Sequence, residues 1–348
     1  MVPVMSMNKK TSNVKEKGIC IVAPMGPNVN VIGSIAKIYG EILQKHGFNI
    51  TEIDSIPMLR IKALFDLIML RKEYEYIHVH SSGYLGDIRL LWAYIVSKIF
   101  KKGVIITYHC GSPDRFLKNT HFIVNIFFNS AILVTVPSAY SKNILLKYNS
   151  RLAEKLKVFP NLIDSYKYNL KSINIKKNKK VVLTVGAINE WYIYRKGLLI
   201  FVEGAKFLPD VEFYLVGKYD SSINTLKEQA SKNVHFTGYV SNEELIKLYS
   251  LADVYCQLSI SESFGVAVAE AMLCECVPVV SDRGALPEVV GDAGFYVREL
   301  TPEETARQVK KAIDTDLGKK ARERIINNFS IEKRGEELIT MISEVVGE

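Results

Sequence analysis

The sequence lacks the cysteine spacings that build a crosslinked or metal-bound scaffold. Its five cysteines, Cys20, Cys110, Cys256, Cys274 and Cys276, form no C-x-x-C pair and no Cys/His cluster with zinc spacing. An odd number scattered through apolar segments points to reduced, buried thiols in a cytosolic protein. No apolar run approaches the roughly 18 residues of a membrane span. The opening stretch "MVPVMSMNKKTSNVKEK" has no apolar core of the kind a signal peptide needs, so residues 1–17 read as a polar tail. Internal repeats and low-complexity arrays are missing. So is G-x-G-x-x-G, which removes the dinucleotide fingerprint.

What is present is a chain of 348 residues, 48% hydrophobic and 24% charged, the composition of about two globular domains. Its net charge of +8 is unevenly placed: 21 Lys and Arg face 11 Asp and Glu through Tyr166, and 24 face 26 thereafter. A basic first half suggests an anionic partner, such as a membrane surface or a phosphorylated lipid, or else a solvated lysine coat. No nucleic-acid module accompanies the charge, so nucleic acid is not expected.

Short apolar, β-rich runs alternate with amphipathic stretches. "GICIVAP", "YIHVHSS", "GVIITYHC" and "AILVTVPS" read as buried parallel strands, with "SIAKIYGEILQKHG" and "DIRLLWAYIVSKIFKK" as helices between them. The rhythm pauses in the lysine- and asparagine-rich "YKYNLKSINIKKNKK" and resumes with "VVLTVGA", "VEFYLVG", "VHFTGYV", "ADVYCQLS" and "VPVVSD". The expected class is α/β: two Rossmann-like doubly wound parallel sheets joined by a linker, with ligands at the strands' carboxyl ends in a cleft. The boundaries fall at 18–166 for the first domain, 167–180 for the linker and 181–327 for the second domain. A helix over 328–348 closes the chain.

One stretch, "SESFGVAVAEAMLCECVPVV", carries Glu262 and Glu270 inside a segment otherwise small or apolar. A buried carboxylate is costly unless something binds or pairs with it. Glu262 falls on the loop leaving the strand "ADVYCQLS". Glu270 falls inside the helix that Gly265 opens, roughly 7.5 Å along its axis. Backbone amides of Phe264, Gly265 and Val266 at that helix start suit a phosphate. A diphosphate there would have a carboxylate on either side, free to accept hydrogen bonds from sugar hydroxyls. On spacing alone the bland alternative, an exposed loop residue and a helix residue capping a neighbour, stands beside this one.

The longer stretch "SESFGVAVAEAMLCECVPVVSDRGALPEVVGDAGFYV" resembles the signature of retaining glycosyltransferases of family 4, which have the GT-B fold. "VVLTVGA…RKGLLIFVEGAKFLPDVEFYLVGK", "VHFTGYVSNEELIKLYSLADVYCQLS", "VPSAYSKNIL", "VFPNLID" and "NNFSIEKRGEEL" are similar to other segments of that family, in order and over nearly the whole chain.

The resemblance implies a role for each matching position. Glu262 would contact the transferred sugar and Glu270 the ribose hydroxyls. Lys196, before Gly197, would grip the diphosphate. Ser263, Phe264, Gly265 and Val266 would hold sugar and phosphates, and Tyr239 and Val240 belong to the base-binding region. Gly33, in "GPNVNVIGS", would let amides reach a phosphate, and His109, in "ITYHCGS", would face the sugar. His78 and His80 read as structural. The chain departs from the family after Gly186, where Ala187 replaces the usual Arg and the loop "INEWYIYRKG" is longer; Arg195 is the candidate for the missing charge. "DTD" at Asp314–Asp316 has the form of a metal motif, but it follows a helical, lysine-rich stretch and not a central strand.

The implied activity is metal-independent transfer of a sugar from a nucleotide-sugar, UDP-sugars favoured, to a glycan or lipid-linked acceptor, with no cofactor. Cytoplasmic placement, peripheral on an anionic membrane, is expected. An epimerase or phosphorylase of the same architecture and a non-catalytic nucleotide-sugar-binding protein are the alternatives. The base, the sugar, the acceptor and the oligomeric state are not legible in the sequence.

Overall fold

A computed structural model describes residues 17–26, 31–56, 60–83, 87–168 and 179–347. The expected tail up to residue 16, most of the expected linker (169–178) and part of "GPNVNVIGS" (27–30) lie outside the described residues.

The apolar runs become strands buried along nearly their whole length, as strands of a parallel sheet covered on both faces must be. In chain order the first unit contains β1 (Gly18–Ala23), α1 (Val31–Lys45), β2 (Asn49–Asp54), α2 (Arg60–Met69), β3 (Tyr76–Ser81), α3 (Asp87–Phe100), β4 (Gly103–Tyr108), α4 (Pro113–Ser130), β5 (Leu133–Val136), α5 (Ala139–Tyr148) and β6 (Leu156–Val158). Its six strands lie parallel in the order β2-β1-β3-β4-β5-β6. The order reverses direction between β1 and β3, where a doubly wound sheet opens a crevice at its carboxyl ends.

The second unit contains β7 (Val181–Val185), α6 (Glu190–Lys196), α7 (Leu198–Gly204), β8 (Glu212–Val216), α8 (Ile223–Gln229), β9 (Val234–Gly238), α9 (Asn242–Leu251), β10 (Val254–Gln257), α10 (Val266–Leu273), β11 (Val277–Ser281), α11 (Leu286–Val290), β12 (Phe295–Val297), α12 (Pro302–Ile313) and α13 (Gly318–Phe329); α14 (Ile331–Gly347) ends the chain. Its sheet, also parallel, runs β12-β11-β10-β7-β8-β9. Here the switch point lies between β7 and β10.

The units comprise residues up to Leu162 together with Arg334–Glu348, and Ile163–Lys333. The boundaries expected from sequence put the end of the first domain at 166 and the second domain at 181–327. A parallel bridge between Ile163 and Ser330 pairs the two ends of the second unit. All five cysteines are free and buried. Among the described residues no helix is long and apolar enough to cross a membrane.

Candidate functional site

The switch point of the second sheet brings the loop after β7 against the loop after β10. The segment read as a long loop, "INEWYIYRKG", is instead the short helix α6. Asn189 caps its start by accepting a hydrogen bond from the Tyr192 amide (2.9 Å), and Gly197 ends it in the left-handed conformation (φ 63°). Arg195 and Lys196 therefore occupy a helix's last turn, and both are largely buried.

Both point at Glu262. Arg195 Nη1 lies 3.2 Å from Glu262 Oε2 and donates to the Ser261 carbonyl at 2.9 Å, while Lys196 Nζ lies 3.5 Å from Glu262 Oε1. The Tyr192 ring backs the Arg195 guanidinium at 5.0 Å. Two further donors complete the shell: Gln257 Nε2 and Ser259 Oγ each donate to Glu262 Oε1 at 3.1 Å. Sequence reading missed this pair. The signal available was polar residues at alternate positions, 257 and 259, closing an apolar strand.

The charge balance of the cluster is uneven. Burial pushes the Glu262 carboxyl up, but Lys196 and Arg195 outweigh it and hold the group below the usual carboxylate range. Burial pushes the Lys196 ammonium down, with Arg195 adding to that and Glu262 opposing it. One carboxylate facing two cations leaves a buried surplus of positive charge, an arrangement that favours an anion.

Gly186 makes room for this lysine. A Cβ there would lie 2.6 Å from Lys196 Cδ and 3.2 Å from its Cε. Gly186→Ala should therefore displace the lysine while leaving the sheet intact. We expect at least about a tenfold loss of activity, the scale of losing one fixed charge-stabilising donor, with little change in melting temperature. An unchanged turnover would show that Lys196 needs no fixed position.

Beyond Glu262 the chain reaches Gly265, whose φ of 101° caps α10. A Cβ there would meet Leu286 Cδ2 at 2.8 Å, so backbone conformation and packing already require glycine. Phe264 is buried and packs edge-to-face on Phe329 (5.2 Å), which leaves only its backbone for a ligand. Ser263 is buried as well, and Val266 opens the helix with first-turn amides that have no acceptor within it. Glu270 follows within α10, where Oε2 accepts the Tyr249 hydroxyl at 3.1 Å. Burial raises its pKa, against the Tyr168 and Tyr249 hydrogen bonds and the Lys167 charge.

Not every expected residue joins this cluster. Tyr239 and Val240 stand past β9, at the sheet's edge: Tyr239 is exposed, its ring 4.8 Å from Lys218 Nζ, and Val240 is half-buried against the core. Asp314 caps the end of α12, so "DTD" is a helix terminus.

In the first unit, Gly33 is buried in the first turn of α1. His109 follows β4, buried, its amide bonded to the Ser81 carbonyl (2.7 Å) and its Nε2 3.0 Å from His80 Nδ1. His80, read as mainly structural, is the buried neighbour of His109. Burial and the Arg89 charge push the His109 imidazole down to about 3.

Residues 166–330 match the family model described as glycosyl transferases group 1. Among curated proteins, the sulfoquinovosyl transferase SQD2 of Arabidopsis thaliana is 24% identical over 277 residues, covering 72% of this chain and 52% of that protein. The MMP alpha-(1->4)-mannosyltransferase of Mycolicibacterium hassiacum is 32% identical over 213 residues, 57% of this chain and 50% of that one. The chain thus spans about half the length of these two relatives. Among solved structures, Anabaena Alr3699/HepE in complex with UDP-glucose superposes with a TM-score of 0.78 at 19% identity, covering 94% of this chain and all of that one. Sucrose-phosphate synthase from Thermosynechococcus elongatus gives 0.79 at 19%, over 95% and 99%. These are likenesses of fold.

Proposed function

Because residues 166–330 match the family model of glycosyl transferases group 1 and the two parallel sheets follow the GT-B plan, we propose that this chain is a retaining glycosyltransferase. It moves a sugar from a nucleoside diphosphate donor, UDP-sugars favoured, to a hydroxyl of a glycan or lipid-linked acceptor.

The observation that carries the proposal is the buried pair Arg195 and Lys196 converging on Glu262. A departing diphosphate gains negative charge as the glycosidic bond breaks, and two fixed cations stabilise it without a metal. Arg195 takes the place left by Ala187. Both oxygens of Glu262 are already engaged by donors, which suits a carboxylate that orients the sugar and not one that attacks it. Glu270 is proposed to accept the ribose hydroxyls and the start of α10 to meet the phosphates. UDP-glucose bound to HepE supports the choice of donor.

A thermal-shift panel of UDP, GDP and ADP in excess EDTA tests this reading. We expect one diphosphate, UDP, to raise the melting temperature, and UDP-sugar transfer to survive EDTA. Binding by none, or activity restored only by manganese, would sink the proposal.

A peripheral site on the inner face of a cytoplasmic membrane is part of the same reading. Along α2, Ile61 (80% exposed), Phe65 (61%) and Met69 (58%) form a stripe at four-residue spacing, and Ile99 of the adjoining α3 is 64% exposed. Lys62, Arg71, Lys72, Lys98, Lys101 and Lys102 lie on or beside these helices. Each such charge contributes about 1 kcal/mol near an anionic surface. Co-sedimentation with phosphatidylserine vesicles should be strong at low salt, lost at high salt, and absent with neutral vesicles. Equal recovery with both vesicle types, or none with either, refutes the membrane claim and leaves the transferase claim standing.

A further inference from the structure

Glu270 is gripped from behind. Tyr249, in the last turn of α9, is fully buried and donates its hydroxyl to Glu270 Oε2 at 3.1 Å. Tyr168, buried in the short helical turn Tyr166–Tyr168, also hydrogen-bonds Glu270 through its side chain. Their rings meet edge-on with centroids 6.4 Å apart, and Arg322 Nη1 anchors the Tyr168 carbonyl at 3.0 Å. Burial, then the Glu270 charge, raises both phenols far above their usual range, so they remain donors at any working pH. Both rings belong to an apolar cluster in which phenylalanine would pack as well, so core filling does not account for two hydroxyls turned on one carboxylate.

A carboxylate has about four lone-pair positions, and an unrestrained one samples several rotamers. Two phenol donors restrict the rotamer and occupy two of those positions, which leaves the others for a ligand. We infer that Tyr168 and Tyr249 are positioning residues of the nucleotide site: they hold Glu270 so that its free lone pairs accept both ribose hydroxyls, which makes the site select ribonucleotides over 2′-deoxyribonucleotides. The inference rests on the proposed ribose role of Glu270. A held acceptor cannot turn away when the 2′-hydroxyl is missing, so the deoxy ligand leaves a desolvated lone pair unpaired.

The test is calorimetric titration of UDP and 2′-deoxy-UDP into the full chain and into Tyr168→Phe, Tyr249→Phe and Glu270→Gln. The parent should prefer UDP by at least about tenfold, and each Tyr→Phe change should lower that preference by about threefold or more. Melting temperatures within a few degrees of the parent will exclude general unfolding as the cause. If both tyrosine variants weaken the two nucleotides equally and keep the ratio, the tyrosines are only structural and the inference fails. If Glu270→Gln also leaves affinity and ratio unchanged, the ribose role itself is wrong, and the inference falls with it.

Discussion

Glu262→Gln should lower sugar transfer at least about tenfold, leave nucleoside diphosphate affinity unchanged or tighter, and cost about 3 kcal/mol of folding stability. The first effect follows from the contact proposed between Glu262 and the transferred sugar. The second follows because the carboxylate competes with phosphate oxygens for Arg195 and Lys196. Glutamine keeps the shape and an acceptor for Gln257 and Ser259 but removes the negative charge that, among the described residues, pairs with the two buried cations. Leaving buried charge uncompensated, and not losing a contact, is the source of the instability. Glu262→Gln combined with Arg195→Met should therefore recover part of the lost stability, a coupling expected of residues in one cluster. The sign with pH is set by the depressed carboxyl. Its contribution is present above the unfolded value near 4.5 and is lost as pH falls through the lower folded value. Denaturant midpoints and isothermal titration with UDP measure the three effects separately. A collapse of UDP affinity in step with transfer would overturn the proposed division of labour between Glu262 and Glu270.

How much of this site could be read from the chain depends on the distance over which each interaction is set. The strands were legible because a parallel sheet buries both faces and writes itself as a continuous apolar run, as in "VVLTV" and "VPVVS". Glu262 and Glu270 were legible as a pair because the loop and helix that separate them are local. Their surroundings were not. Gln257 and Ser259 act on Glu262 through the shape of a strand-to-loop turn, and Tyr249 reaches Glu270 from another helix. The helix α6 was missed for a different reason. "EWYIYRK" is rich in aromatic and β-branched residues with weak helix propensity, although Asn189 and Gly197 bracket it with ordinary start and stop signals. Packing of Arg195 and Lys196 on Glu262 supplies what propensity does not.

The first unit should be acid-labile well above the pH at which carboxylates titrate. His78, His80 and His109 are all buried, with His78 and His80 rings 4.5 Å apart and His80 and His109 rings stacked at 5.3 Å. Tyr39 closes over His80 at 5.2 Å, and His78 Nε2 meets the Thr107 hydroxyl at 2.8 Å. Among the described residues, the side-chain charges acting on the cluster are cations: Arg89 lowers both His80 and His109, and Arg334 acts on Tyr39. Burial first, and these charges and neighbouring imidazoles after it, push His78 and His109 down to about 3 and His80 well below its usual range. Below about pH 6.5 the unfolded chain binds protons that the folded unit refuses, so stability falls as pH falls. One such histidine costs about 2 kcal/mol by pH 5, and three together approach the roughly 5–15 kcal/mol that holds a domain folded. Urea midpoints measured from pH 7.5 to 5 should drop steeply below 6.5. His78→Gln, which retains a partner for Thr107 but cannot titrate, should flatten the slope by about a third, its share of three equivalent groups. A midpoint that stays level down to pH 5 would mean that the cluster accepts protons without unfolding.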